Sequence, residues 1–306
     1  MAEISAKLVA ELRKKTGCGM MDCKKALAET NGDLEAAVKV LREKGMAASA
    51  KKADRIAAEG IVDIMTIGDV TAMVEVNSET DFVAKNQLFK DFVKAILKTI
   101  IENKPANVEA LLECKLSGAD TTVAGELNEL VYKIGEKLSL RRFVIVEGVV
   151  STYIHGAGAT GVIVSFDTDV ADKDGFAECA KNVALQTAAM TVLYLDRESV
   201  PAEVLAEEKR ILIAQMQQDP KMANKPEQVL AKIVEGKVGK YYETNCLVEQ
   251  AYVKDDSMSV GKYVASVAKE LGGSIKVTGF VRFDKGEGIE KRDDDLAAEV
   301  AKMVNG

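Results

Sequence analysis

The amino-acid sequence predicts an α+β fold with antiparallel sheets and helices packed on one side of them, and three observations carry that prediction. Apolar residues recur with helical spacing through the first 45 residues and switch to strand alternation after Glu59-Gly60. The segment from Glu59 to Asn86 repeats 88 positions later without a gap, matching at nine of 28 positions. Glu59, Gly60, Val62, Gly68, Val74, Val76, Thr80, Asp81 and Lys85 recur as Glu147, Gly148, Val150, Gly156, Val162, Val164, Thr168, Asp169 and Lys173, where chance gives about two matches. Two amphipathic stretches between Pro201 and Tyr242 then interrupt the second copy before strand alternation resumes at Ile275.

The elements follow in order. Leu8, Val9 and Leu12 form one apolar stripe before Thr16-Gly17, and Met20, Met21 and Leu27 belong to a second segment that stops at Asn31-Gly32. Asp33 caps a third helix, in which Leu34, Ala37, Val38 and Leu41 share a face and which Gly45 ends. These three pieces make a small bundle, and the Ala- and Lys-rich stretch from Met46 to Ala58 reads as a helical connector. Val62 and Ile64, then Ala72, Val74 and Val76, alternate around Gly68-Asp69, a two-residue hairpin signal. Phe89, Phe92, Val93, Ile96, Leu97 and Ile100 mark an apolar-periodic helix; another covers Leu127 to Ile134, before a strand at Phe143 to Val150. In the helical hairpin, Val204, Leu205, Ile211, Leu212 and Met216 face Val229, Leu230, Ile233, Val234 and Val238 across a turn at Asp219-Pro220 and Pro226. Ile275, Val277, Val281 and Phe283 complete the second sheet, and the segment from Asp293 to Gly306 is a short terminal helix with its aspartates at the positive end. The expected divisions are 1–55, 56–146, 147–190 with 243–283, the insertion 191–242, and 284–306.

Composition narrows the function. The 41 Lys and Arg against 48 Asp and Glu give a net charge of −7, which argues against nucleic-acid binding through a broad basic surface. Apolar runs are too short for a membrane span, and the N-terminal residues lack a basic region followed by an apolar one. Five cysteines without a C-x-x-C pair make a poor disulfide framework, so a cytoplasmic protein is expected. A single histidine, His155, leaves a Ser-His-Asp triad or a multi-histidine metal site almost nothing to draw on.

Three motifs need weighing. Gly156-Ala157-Gly158-Ala159-Thr160-Gly161 contains a literal G-x-G-x-x-G, but a dinucleotide fingerprint opens a helix, whereas Val162-Ile163-Val164 continues as a strand; a glycine-rich turn is the expected reading. Cys18 and Cys23, with only Asp22 nearby, read as buried thiols rather than metal ligands. Thr80-Asp81-Phe82-Val83 follows a strand and precedes a helix, and two readings stand. In one, Asp81 caps the helix while Phe82 anchors the turn in the core. In the other, charge and ring form a presented tip that enters another protein. Three functions are therefore open: a binding module acting through that tip, an enzyme using the glycine-rich loop and His155, and an adaptor docking through its helical elements.

The segment from Glu75 to Lys85, Glu-Val-Asn-Ser-Glu-Thr-Asp-Phe-Val-Ala-Lys, resembles a signature of the bacterial translation elongation factor Ts family. The stretch from Leu12 to Lys24 is similar to that family's N-terminal signature, and Gly279 to Phe283 with Gly286 to Lys291 resembles its C-terminal pattern. The resemblance implies a guanine-nucleotide exchange factor, with no catalytic residue, cofactor or metal of its own, that binds elongation factor Tu carrying GDP and speeds GDP release. It implies a bundle like ubiquitin-associated domains, a core of two similar subdomains, an inserted coiled-coil hairpin and a C-terminal helix. Asp81 and Phe82 match residues that enter the partner's GTPase domain and disturb its magnesium site, with Thr80 and Val83 completing the loop. Arg13, Met20, Met21 and Lys24 match positions touching the same domain; Ile134, His155 and Val253 match further contact positions, the last two toward a different domain. The resemblance implies neither direct nucleic-acid nor membrane binding and leaves self-association through the helical hairpin open. Val170 stands where a second Phe82 would be, so the second copy is not expected to form a second wedge.

Overall fold

A computed structural model describes residues 4–218 and 226–290. The fold is α+β and the chain divides into two compact units. Of the described residues, the first holds those up to Ile145 together with 156–159 and 283–290; the second holds those in 146–155 and 160–282.

The first unit begins with α1 (Ala6–Thr16), α2 (Met20–Glu29) and α3 (Leu34–Lys52). Ser5 caps α1, Gly17 ends it with a φ of 68°, and the Asp33 carboxylate accepts the Glu35 and Ala36 N–H groups at 2.9 and 3.0 Å to start α3. Leu12, Cys23, Ala26, Leu27, Ala37 and Leu41 are buried between the three helices. The hairpin of β1 (Glu59–Ile67) and β2 (Val70–Ser78) is antiparallel, with Ile67 opposite Val70 across the turn Gly68-Asp69. Next come α4 (Asp81–Lys85), α5 (Gln87–Asn103), α6 (Val108–Glu113), α7 (Val123–Ile134) and β3 (Leu138–Glu147), which joins the sheet in the order β1-β2-β3. Phe89, Phe92, Val93, Ile96, Leu97 and Ile100 of α5 are all buried in one cluster with Val74 and Val76 of β2.

Two boundaries differ from the sequence expectation. The strand expected at Phe143 to Val150 is two strands: β3 starts at Leu138 and ends at Glu147, and Gly148, at a φ of 96°, turns the chain before the next strand begins. Gly45 does not end the third helix, because α3 continues through it to Lys52. A Cβ at Gly45 would stand 3.2 Å from the Asn128 carbonyl oxygen of α7, so the missing side chain permits close helix approach. Gly45→Leu is expected to lose about 1–3 kcal/mol by forcing α3 off α7. An unchanged urea midpoint would contradict that packing.

The second unit contains β4 (Val150–His155), β5 (Thr160–Thr168), α8 (Asp174–Ala189), α9 (Ala202–Gln218), α10 (Glu227–Asn245), β6 (Ala251–Tyr252), β7 (Asp255–Ser259), α11 (Val260–Leu271) and all but the last two residues of β8 (Ile275–Asp284). Its sheet runs β4-β5-β8, so the strand after the helical insertion does join the second hairpin. Here His155 faces Thr160 across four residues, whereas the first hairpin turns in two; the repeated glycines align while the strand register shifts. The helices α9 and α10 pack together and bury Leu212, Met216 and Val238. Ile211 and Val229, expected in the apolar stripes, are exposed, because two helices meeting alone cover only a narrow seam of each. The expected turn at Asp219-Pro220 and the terminal helix from Asp293 lie outside the described residues.

A buried ionic cluster ties the first unit together. The Glu75 carboxylate, fully buried on β2, accepts from Arg141 at 3.0 Å, Arg142 at 2.6 Å, Asn77 at 3.0 Å and the Gly286 N–H at 2.8 Å. Arg142 also meets Glu287 at 2.9 Å and lies 4.2 Å over the Phe283 ring, and Lys285 pairs with Glu59. Burial alone pushes the Glu75 carboxyl up, but the Gly286 N–H, Asn77 and the two guanidinium groups outweigh it and hold it below the ordinary range. A folded pKa below the unfolded one gives stability that is whole above pH of about 4.3 and is lost as pH falls through the folded value. The stability gap between the native chain and Glu75→Gln should therefore narrow on acidification below pH of about 4. A gap constant with pH in urea titrations would contradict an ionised Glu75.

Candidate protein-docking tip and groove

The strand β2 delivers the chain to a short helix that is rooted in the core and presents its outer face. Val83 is buried in the main cluster of the first unit, whereas Phe82 is 77% exposed. Of the two readings open from sequence, the core anchor is therefore Val83, and Phe82 is presented. Asp81 does not cap the helix; Thr80 occupies that position with extended backbone, and Asp81 begins α4. The Lys85 ammonium donates to Asp81 at 2.7 Å and lies 5.6 Å from the Phe82 ring centroid. That hydrogen bond holds the Asp81 carboxyl below its ordinary range, so the tip carries an ionised carboxylate beside an exposed ring.

The root of the tip is fastened on both sides. Glu136 accepts the Thr80 N–H at 3.0 Å and the Thr80 hydroxyl at 2.7 Å, and the Ser78 hydroxyl donates to the Thr80 carbonyl at 2.8 Å. Glu79 accepts the Lys137 N–H at 2.5 Å and pairs with Arg55 at 3.2 Å. Glu136, Glu79 and Lys137 were not singled out from sequence. Contacts 56 to 58 residues apart leave no local pattern, and a lone glutamate among 48 acidic residues has no signature.

The repeated copy uses the same pair differently. Val170, in the place of Phe82, is buried, and the Asp169 carboxylate accepts the Ser274 N–H at 2.7 Å and its hydroxyl at 3.2 Å. The second Thr-Asp pair is thus spent on the fold, and no second ring is presented.

Four other expected site residues come together. Arg13, Met20, Met21 and Lys24 line one groove of about 640 Å³ along α1 and α2, floored by Val9 and Ile4. Met20 and Met21 are 58% and 62% exposed, and the basic side chains of Arg13, Lys14 and Lys24 stand with them. Flexible thioethers beside cations suit an apolar helix face that carries acidic residues. Ile134 ends α7 half-buried against the core, two residues before Glu136. His155 and Val253 lie in the second unit on separate hairpins: His155 ends β4, exposed, 3.2 Å from the Tyr153 hydroxyl, and Val253 is exposed in the β6–β7 turn with its N–H on Gln186 at 2.9 Å.

The glycine-rich loop is a hairpin turn. Strand β5 begins at Thr160, so Gly156, Gly158 and Gly161 open no helix and the dinucleotide fingerprint is not formed. Cys18 and Cys23 are buried free thiols, and burial pushes the Cys18 thiol up. Among the described residues, no group of three or more His, Cys, Asp or Glu is placed to hold a metal ion, and no helix is long and apolar enough to cross a membrane.

The family described as Elongation factor TS matches residues 79–287, a span that opens one residue before Thr80. The chain is 46% identical over 305 residues to Elongation factor Ts of Syntrophotalea carbinolica, with 99% of each chain covered. It is 46% identical over 306 residues to the Magnetococcus marinus protein of that name, again with 99% of each covered. The Clostridium tetani Elongation factor Ts is 47% identical over 307 residues, covering 98% of this chain and 99% of the relative. The chain belongs to the elongation factor Ts family of translation elongation factors.

Proposed function

We propose that the chain is a guanine-nucleotide exchange factor that binds elongation factor Tu carrying GDP, disturbs its Mg²⁺ and phosphate site, and promotes GDP release so that GTP can bind. The observation that carries this reading is a phenylalanine 77% exposed beside an ionised aspartate, on a helix whose root is buried and fastened. A GDP held by a P-loop depends on backbone amides, a lysine and a bridging Mg²⁺. The Phe82 ring fills a pocket in the GTPase domain while the Asp81 carboxylate competes at the cation, and the electrostatic hold on the phosphates falls. Thr80 and Val83 keep the tip in place. Because coupling is reciprocal, tighter binding to the nucleotide-free partner weakens GDP by the same factor. The chain makes and breaks no covalent bond and acts as a binding protein in the cytoplasm rather than as an enzyme.

In this reading the first three helices form a bundle like ubiquitin-associated domains, whose groove, through Arg13, Met20, Met21 and Lys24, meets the same GTPase domain. Ile134 adds to that contact, while His155 and Val253 meet a different domain. The two sheets with their helices are duplicated subdomains, and the pair α9 and α10 is an inserted coiled-coil hairpin. The exposed Ile211, Ile213 and Val229 support self-association through that hairpin, which a monomer mass at every concentration in sedimentation would refute.

Reciprocity sets the test. After mixing with elongation factor Tu loaded with labelled GDP, the complex recovered by gel filtration should be depleted of label, and excess GDP should split it. A complex retaining stoichiometric GDP would refute exchange.

A further inference from the structure

We infer that Glu136 is a positioning residue for the Asp81-Phe82 tip, an inference that rests on the exchange reading above. The helix α4 has five residues, too few to hold a direction by its own hydrogen bonds. Its orientation is therefore set by what grips its ends. Val83 seats in the core beneath it, and both oxygens of the Glu136 carboxylate hold Thr80, at 3.0 Å to the N–H and 2.7 Å to the hydroxyl. The Thr80 N–H belongs to a helix cap and has no partner within the helix, so the charge-assisted bond from Glu136 supplies one.

The same clasp is doubled by its neighbour. Lys137 donates its N–H to Glu79 at 2.5 Å, and its ammonium reaches the Ala53 and Arg55 carbonyls at 2.6 and 2.7 Å. Two consecutive residues after α7 are thereby cross-bonded to the two residues before α4. Gly135, at a φ of 86°, turns the chain out of α7 and sets Glu136 there. Without the carboxylate, the Thr80 N–H and hydroxyl lose their acceptor, Val83 and the Ser78 and Glu79 bonds hold the root less tightly, the helix pivots about Val83, and Phe82 reaches its pocket in a minority of conformers.

Release of fluorescent GDP from elongation factor Tu, followed over a range of chain concentrations, tests this with Glu136→Ala, Glu136→Gln, Phe82→Ala and the double variant Glu136→Ala with Phe82→Ala. Glu136→Ala is expected to lower the release rate at saturation about tenfold, with the half-saturating concentration changed less than about threefold. Glu136→Gln, whose amide oxygen still accepts one bond from Thr80, should lose only about threefold; it carries the test if the alanine variant does not fold. In the Phe82→Ala background, Glu136→Ala should make no further difference. Equal loss with and without Phe82 would mean a general structural effect and overturn the positioning role, as would a Glu136→Ala rate equal to that of the native chain. No acceleration by the native chain would overturn the exchange reading itself, and the positioning role with it; acceleration that Glu136→Ala leaves intact overturns the positioning role alone.

Discussion

Phe82→Ala is expected to lower the acceleration of GDP release by roughly ten- to 150-fold and to leave thermal unfolding within about 2 °C of the native chain. The first figure follows from the roughly 1.5–3 kcal/mol gained when a phenylalanine side chain passes from water into an apolar pocket. The second follows from the ring's position: it is 77% exposed and belongs to none of the buried clusters of either unit. Substitutions at such positions change stability by about 0.5 kcal/mol or less. Removing the ring therefore separates contact from folding. A melting temperature that falls by roughly 5 °C or more would show that Phe82 supports the fold and would contradict the presented tip.

Glu75→Ala is expected to have the largest effect on stability, about 3 kcal/mol in the first unit and roughly 6–12 °C in its unfolding temperature. The loss comes from what stays behind. Arg141 and Arg142 lose their common acceptor while only 27% and 30% exposed, and the Gly286 N–H and the Asn77 amide lose theirs as well. Partial exposure of the arginines lets water recover part of the cost, which places the estimate at the low end for a broken buried pair. A loss below about 1 kcal/mol in urea unfolding would mean that the cluster is redundant.

Legibility in the sequence followed the range of the interaction. The α5 stripe from Phe89 to Ile100 and the Gly68-Asp69 turn were plain, because helical period and turn chemistry act between near neighbours. The six-residue α6 and the short β6 and β7 were not read, since such lengths offer too few turns or alternations to show a period. The α11 helix buries only Val260, Val264 and Ala268 over 12 residues, a short apolar face that does not stand out from the surrounding sequence. The place of Gly45 inside α3 rather than at its end is not legible in the sequence, because a glycine that ends a helix and one that admits a neighbouring helix look alike without the neighbour. At the candidate site, periodicity left Phe82 between core and surface, and burial of the adjacent Val83 decided it. The resemblance supplied Arg13, Met20, Met21 and Lys24, which the fold then gathers along a single groove. The partners of the tip, Glu136 and Lys137, and the Glu75 cluster were not visible, because each joins segments more than fifty residues apart.

The most direct test of the account is the release rate of fluorescent GDP from elongation factor Tu at fixed free Mg²⁺, with and without this chain. Exchange through the tip predicts an acceleration that rises with chain concentration to saturation and that Phe82→Ala largely abolishes. A release rate unchanged by the native chain with a matched bacterial partner would contradict it.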